Sequence, residues 1–137
     1  MQLMILVTAD YASIDQATGK LNILGAFSRI STTKRFPIRH QRMSLALKLR
    51  ADLEDHHDIR NLTIEMTDED GNRLFHISGP FQFPQTGKGI PGEYNAIVEL
   101  DGLEFPHPGF YEFLVYVDGK KVGQTPIELV ERNQQSE

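Results

Sequence analysis

Five histidines, His40, His56, His57, His76 and His107, are the residues of this chain best suited to chemistry, because imidazole is the commonest metal ligand and a frequent general base. Their spacing does not group them. His56 and His57 sit between Asp55 and Asp58, which could supply two or three ligands, yet adjacent side chains on a strand point to opposite faces and only a loop would converge them. A solvated polar loop accounts for that segment more simply, so no metal is assigned. His76, between Phe75 and Ile77 in an alternating run, is expected to face solvent while its neighbours face the core. His107, between Pro106 and Pro108, reads as an exposed loop residue.

Other constellations fail on detail. Asp68-Glu69-Asp70-Gly71-Asn72 crowds carboxylates into one turn, but a calcium loop read from Asp68 lacks Asp at its fifth position and has Gly79 where the bidentate Glu belongs. It reads as an acidic hairpin turn. Gly87-Lys88-Gly89 lacks the Gly-Lys-Ser/Thr ending and the strand-loop-helix setting of a phosphate loop. None of Ser13, Ser28, Ser31, Ser44, Ser78 or Ser136 lies in a Gly-x-Ser-x-Gly elbow, and Glu99, Asp101 and Glu104 carry no motif. The absence of cysteine removes thiolate nucleophiles, disulfides and cysteine-ligated metals. No catalytic residue and no cofactor are assigned, and the chain is expected not to be an enzyme.

A net charge of -5, from 14 basic and 19 acidic residues, argues against a nucleic-acid backbone as partner, since duplex binding rests on phosphate neutralisation. Within this acidic chain Arg29, Lys34, Arg35, Arg39 and Arg42 concentrate positive charge, as a docking face for an acidic partner or a polynucleotide or, more simply, as a solvated loop face. Nearby aromatics are Phe27 and Phe36, too few for a base-stacking platform.

The elements that must position these groups are strands. Met43, Leu45, Leu47, Leu49 and Ala51 alternate with Arg42, Ser44, Ala46, Lys48 and Arg50, the pattern of a half-buried strand. Residues 60–67 and 111–117 alternate in the same way, and runs at 3–11, 21–30, 73–83, 94–100 and 120–130 bring the count to about eight. The spacing predicts an all-β fold, a two-sheet antiparallel sandwich of immunoglobulin-like type. Asp118-Gly119 is a tight type I′ hairpin signal, which makes Gly119 structural, and Thr18-Gly19-Lys20 and Asp70-Gly71-Asn72 close two further hairpins. Gly25 interrupts its run and marks a bulge, or a bend by which the strand crosses between sheets. Residues 34–41, with Phe36-Pro37, read as a crossover loop, and residues 80–92 as a long Pro/Gly-rich excursion that Phe81, Phe83 and Ile90 suggest is partly packed down. One domain is expected over residues 1–130, with a frayed tail at 131–137. No run approaches the roughly 18 apolar residues of a membrane helix, and the short apolar stretch at 3–7 lacks the basic flank of a signal peptide. A soluble cytoplasmic protein without a membrane partner is the expectation.

The segment LEFPHPGFYEFLVYVDGKKVG, residues 103–123, has the Pro-Gly-x-Tyr-x-Phe order seen where a strand turns a corner in immunoglobulin-like sandwiches. It resembles a tyrosine corner, which implies that the Tyr111 hydroxyl bonds an upstream backbone group and that Tyr111 is structural. Through ADYASIDQATGKLNILGAF, GPFQFP and PGEYNAIVELDGLEFPHPGFYEFLVYVDG the whole chain also resembles an uncharacterised family of small bacterial or phage β-sandwich proteins. That resemblance implies a fold and carries over no functional residue.

The leading expectation is a non-enzymatic interaction module whose loops or free sheet edge bind an unknown protein, with homo-oligomerisation through an edge as a related possibility. Its candidate surface comprises Arg35, Phe36, Arg39, Phe81, Phe83 and Tyr94, with Phe105 and Phe110 also on exposed loops. The alternatives are a small-ligand or carbohydrate-binding sandwich using residues 80–92 and Tyr94, and a metal-dependent hydrolase around His56 and His57.

Overall fold

Period-two alternation organises nearly the whole chain. The computed structural model describes residues 1–52, 58–87 and 89–133, and within them it shows eleven strands and no helix. In chain order these are β1 (Gln2–Ile14), β2 (Leu21–Phe27), β3 (Arg29–Thr32), β4 (Ile38–His40), β5 (Ser44–Arg50) and β6 (Arg60–Asp68). They continue as β7 (Arg73–Phe81), β8 (Glu93–Glu99), β9 (Leu103–Phe105), β10 (Gly109–Val117) and β11 (Lys120–Glu131). A four-stranded sheet has the order β2-β1-β5-β8, a five-stranded sheet β3-β11-β10-β6-β7, and β4 pairs with β9 in a separate ribbon. Every pairing is antiparallel except β3 with β11.

Leu45, Leu47 and Leu49 of β5 share one buried cluster with Ile64 and Met66 of β6, Tyr111, Phe113 and Val115 of β10, and Ile127 and Leu129 of β11. Burying these side chains is the main drive for folding. The ribbon adds to the same cluster, since Ile38 and Phe105 pair in register and both are buried. Among the described residues no helix is long and apolar enough to cross a membrane.

All eight expected runs are strands, but the arrangement is eleven strands in three sheets rather than eight in two. Two of the additions, β4 and β9, have three residues each, too short to display a period. The third arises because the run at 21–30 divides at Ser28, β2 joining one sheet and β3 the other. The C-terminal strand also outlasts its expected end. Glu131 pairs with Thr32, and the Arg132 N–H donates to the Thr32 carbonyl at 2.8 Å; residues 134–137 lie outside the described residues.

Gly25 turns out to be a corner within β2, not the crossing point. It has φ 70°, it is missing from the otherwise continuous β1–β2 register opposite Asp10, and a Cβ there would collide with the Asp10 carboxylate. Beyond that corner the β1–β2 hairpin folds back over the four-stranded sheet. The Gly19 carbonyl at its tip accepts a 3.0 Å bond from Asn95 of β8, although β5 lies between β1 and β8. This explains a second departure: β5 is not half-buried, since Ser44 and Ala46, on the face expected to be wet, are fully covered. The tight Asp118-Gly119 hairpin is present as expected, with φ 52° and 81° and Val117 opposite Lys120.

Candidate functional site

The two larger sheets end in four edge strands, β2 and β8 in one, β3 and β7 in the other. Exposed edges template unwanted pairing, and proteins blunt them with breaks, bulges, proline or shortness. Three of the four edges are blunted. β2 is broken at Gly25; β3 has four residues; β7 carries Pro80 and a register shift opposite Met66 and Thr67.

β8 has none of these devices, and its charged residues, Glu93 and Glu99, stand only at its two ends. Its sequence Glu-Tyr-Asn-Ala-Ile-Val-Glu pairs with β5 through seven consecutive residues without a bulge. Two further bonds set its orientation: the Leu100 N–H donates to the Met43 carbonyl at 2.9 Å and the Ala51 N–H to the Gly92 carbonyl at 2.8 Å. Bonded pairs alternate along an antiparallel ladder. Tyr94, Ala96 and Val98 therefore turn their backbone groups toward β5, while Glu93, Asn95, Ile97 and Glu99 present theirs to the free edge. No described residue occupies those outward N–H and C=O groups.

On one flank the chain itself crosses between the sheets at Ser28. On the other, β7 and β8 are both edges and leave an open seam. Leu62, Ile64, Ile77, Tyr94, Ala96 and Val98 line a groove there of about 210 Å³. Ile77 shows what the gap does: it lies one alternation beyond Phe75, which packs against the core, yet it is 46% exposed. Charge marks both ends of β8. Glu93 is bonded by Arg50 at 2.9 Å and approached by Lys48 at 3.5 Å, and chiefly the Arg50 guanidinium holds its carboxyl below the usual range. Glu99 accepts from the Ser44 hydroxyl at 3.0 Å and has no cationic partner among the described residues.

The sequence-predicted surface is only partly exposed. Phe81 and Phe83 are 5% and 3% exposed and Phe105 is fully buried, so these three are core residues. Phe81 and Phe83 meet edge-on at 5.4 Å between ring centres, and Tyr94 lies against Phe81 at 4.7 Å. The Pro/Gly-rich excursion is pinned by its aromatics instead of displaying them. Phe36 packs against the core and Phe110 is exposed, on β10. The basic stretch is not gathered around one cavity. Arg35 lines a 500 Å³ cleft with Lys34 and Arg132, Arg29 pairs with Glu128 at 2.9 Å, and Arg39 donates to the Gly102 carbonyl at 3.3 Å.

Among the described residues no group of three or more acidic or histidine side chains is placed to hold a metal. His56, His57 and Lys88 lie outside the described residues. His76 is exposed as expected. His40 packs near Phe27, ring centres 6.0 Å apart, and burial lowers its pKa against the raising effect of Asp10.

His107 is not a free loop residue. Its Nδ1 faces the Pro108 carbonyl at 3.0 Å, its Nε2 faces Asp68 Oδ2 at 3.4 Å, and its ring stacks on Tyr111. Both partners are acceptors only, so the geometry suits the imidazolium, which donates from both nitrogens. The pKa is raised accordingly, first by the Pro108 carbonyl and then by Asp68, with Glu69 adding a further negative field. Asp68 is lowered, chiefly by the Asn72 side chain and then by its backbone, with His107 and Asp70 assisting.

The signs set a pH window. The His107 contribution is complete below its ordinary pKa of about 6.5 and lost as pH rises through the folded value; that of Asp68 is present above about 4 and lost on acidification. We expect the stability gap between wild type and His107→Gln to narrow as pH rises from 6 to 9, read by urea unfolding at each pH. The effect is modest because the His107 side chain is 40% exposed and water screens the pair. The opposing titration of His40 is common to both proteins and cancels in the difference. A gap that is constant or widens over this range would contradict the assignment.

Comparison with known sequences now places the chain. The profile of a family of unknown function, DUF6941, matches residues 4–130. The chain belongs to that family. No curated protein significantly matches this DUF6941 member. Among solved structures it is similar to the alkylpurine DNA glycosylase AlkC of Pseudomonas fluorescens bound to DNA containing an abasic-site analogue, at 12% identity and TM-score 0.48, over 94% of this chain and 30% of that one. It is also similar to an immunoglobulin-like protein from Pseudomonas aeruginosa, at 8% identity and TM-score 0.43, over 94% and 97% of the two chains. A beta-glucuronidase of glycoside hydrolase family 2 matches at 14% identity and TM-score 0.40, over 67% of the DUF6941 chain and 10% of the enzyme.

Proposed function

We propose that this protein is a non-enzymatic protein-interaction module that takes an extended segment of its partner at the β8 edge. The observation that carries the reading is the contrast among the edges: three of the four are blunted, and the remaining one is regular, in register and beside an open apolar seam. An added strand would satisfy the outward groups of Glu93, Asn95, Ile97 and Glu99 and cover the seam with alternate side chains, which is β-augmentation.

We read the architecture as immunoglobulin-like and its β10 entry as a tyrosine corner. The Tyr111 hydroxyl donates to the His107 carbonyl at 2.5 Å and accepts from the His107 N–H at 3.1 Å, a clamp at the start of a central strand. The lack of cysteine suits a reducing compartment, and we place the module in a bacterial cytoplasm.

Affinity capture from host lysate tests the reading when run with wild type and Ile97→Pro. Proline at Ile97 removes an outward donor and leaves the β5 ladder intact. A stoichiometric partner held by wild type and lost by Ile97→Pro supports the proposal. A partner held equally by both, or by neither, opposes it.

A further inference from the structure

The β8 edge also carries information about what it accepts, and this inference rests on the edge reading above. We propose that its occupant is an extended segment of a different protein, with small or branched apolar side chains at alternate positions and a lysine or arginine where the segment passes Glu99.

The pattern on β8 dictates the first half. Tyr94, Ala96 and Val98 point into the seam, so residues of an added strand that share their face enter the groove over Leu62, Ile64 and Ile77. Successive inward side chains on a strand are about 7 Å apart, and a groove of about 210 Å³ takes the tips of a few of them. Charged inward residues would be desolvated without a partner, since this lining is apolar apart from Ser78 and the Tyr94 hydroxyl, and bulky ones are limited by the groove's volume of about 210 Å³.

The outward face dictates the second half. Glu93 is already balanced by Arg50 and Lys48, whereas Glu99 has only the Ser44 hydroxyl among the described residues. A cation opposite Glu99 meets an uncompensated carboxylate at the end of the edge. Asn95 adds no recognition at mid-strand: its Nδ2 donates to the Gly19 carbonyl at 3.0 Å and its Oδ1 is buried, so neither side-chain atom is open to an incoming strand.

The same charges disfavour a second copy of this chain. A two-fold pairing of β8 with itself in full register is antiparallel, and it sets Glu93 directly opposite Glu99 twice. Shifting the register to avoid this forfeits part of a seven-residue ladder.

The test uses the full chain and two synthetic peptides of alternating valine and threonine, one ended by lysines and one by glutamates. Binding is followed by amide chemical shifts. The expected result is that the lysine-ended peptide perturbs Asn95, Ile97 and Glu99 and binds about tenfold more tightly than the glutamate-ended one. Glu99→Lys should reverse that order, and Ile97→Pro should weaken binding of the better peptide by about tenfold, a loss typical of one main-chain bond plus its desolvation. Ile97→Lys, which guards the edge by charge without proline, should do the same, and urea unfolding of each variant shows that its fold is retained. Equal binding of the two peptides, with Ile97→Pro still blocking both, overturns the partner chemistry and leaves the edge reading standing. Binding that ignores both Ile97 variants overturns the edge reading itself. Failure of both peptides to bind overturns the inference, as does a wild-type dimer in light scattering that Ile97→Pro dissociates, which would make the occupant a second copy.

Discussion

Phe83→Ala should destabilise the protein by about 3–5 kcal/mol, the usual cost of emptying a fully packed phenylalanine site. Phe83 is buried, its ring meets Phe81 edge-on, and Gly92 packs close to its Cβ. The loss would include buried apolar area, the aromatic pair and the anchor of the 80–92 excursion onto the core. Phe110→Ala is the matched control, since the same side chain there is 52% exposed on the outside of β10; it should cost about 1 kcal/mol or less. Urea unfolding midpoints at unchanged slope measure both. Similar small effects from the two substitutions would mean that the excursion is not packed as described.

Tyr111→Phe comes next in magnitude, at about 1–3 kcal/mol. The ring remains between Phe105 and His107, so packing is conserved and the measurement isolates the hydroxyl. Without it the His107 N–H and C=O lose their partner at a part-buried corner, and a buried unsatisfied backbone group costs more than the bond contributed. The raised pKa of Tyr111, caused first by its burial, keeps it a neutral donor at ordinary pH. An unfolding midpoint identical to that of wild type would show that solvent replaces the hydroxyl at no cost.

Much of this fold is legible in the sequence because its signals are local. The leucines of β5 declare their period within ten residues, and Asp118-Gly119 specifies its hairpin from two. The failures share a cause. Phe81, Phe83 and Phe105 lie among prolines and glycines, which locally mean loop; the apolar Phe81, Phe83 and Ile90 hint that the excursion is partly packed down, but which of them enter the core is not a local signal, and Ile90 stays exposed. Ser44 and Ala46 look solvent-facing on their own strand and are covered by a hairpin some 25 residues away in sequence. The crossing at Ser28 is likewise a long-range event.

The candidate site was hidden for the same reason. Pro80 and Gly25 are visible in the sequence, but they become edge guards only once strand order makes β7 and β2 edges. β8 reads as an ordinary strand until it is seen to have one neighbour. Tyr94 is the member of the anticipated surface that belongs to this seam: in the sequence it is an aromatic beside a loop, in the fold it is part of the lining.

Native-state hydrogen exchange along β8 of the free protein tests the central claim most directly. The account predicts alternation: the amides of Glu93, Asn95, Ile97 and Glu99 exchange fast, and those of Tyr94, Ala96 and Val98, bonded to β5, exchange slowly. Uniform protection through residues 93–99 would show that the edge is already covered and would contradict the account.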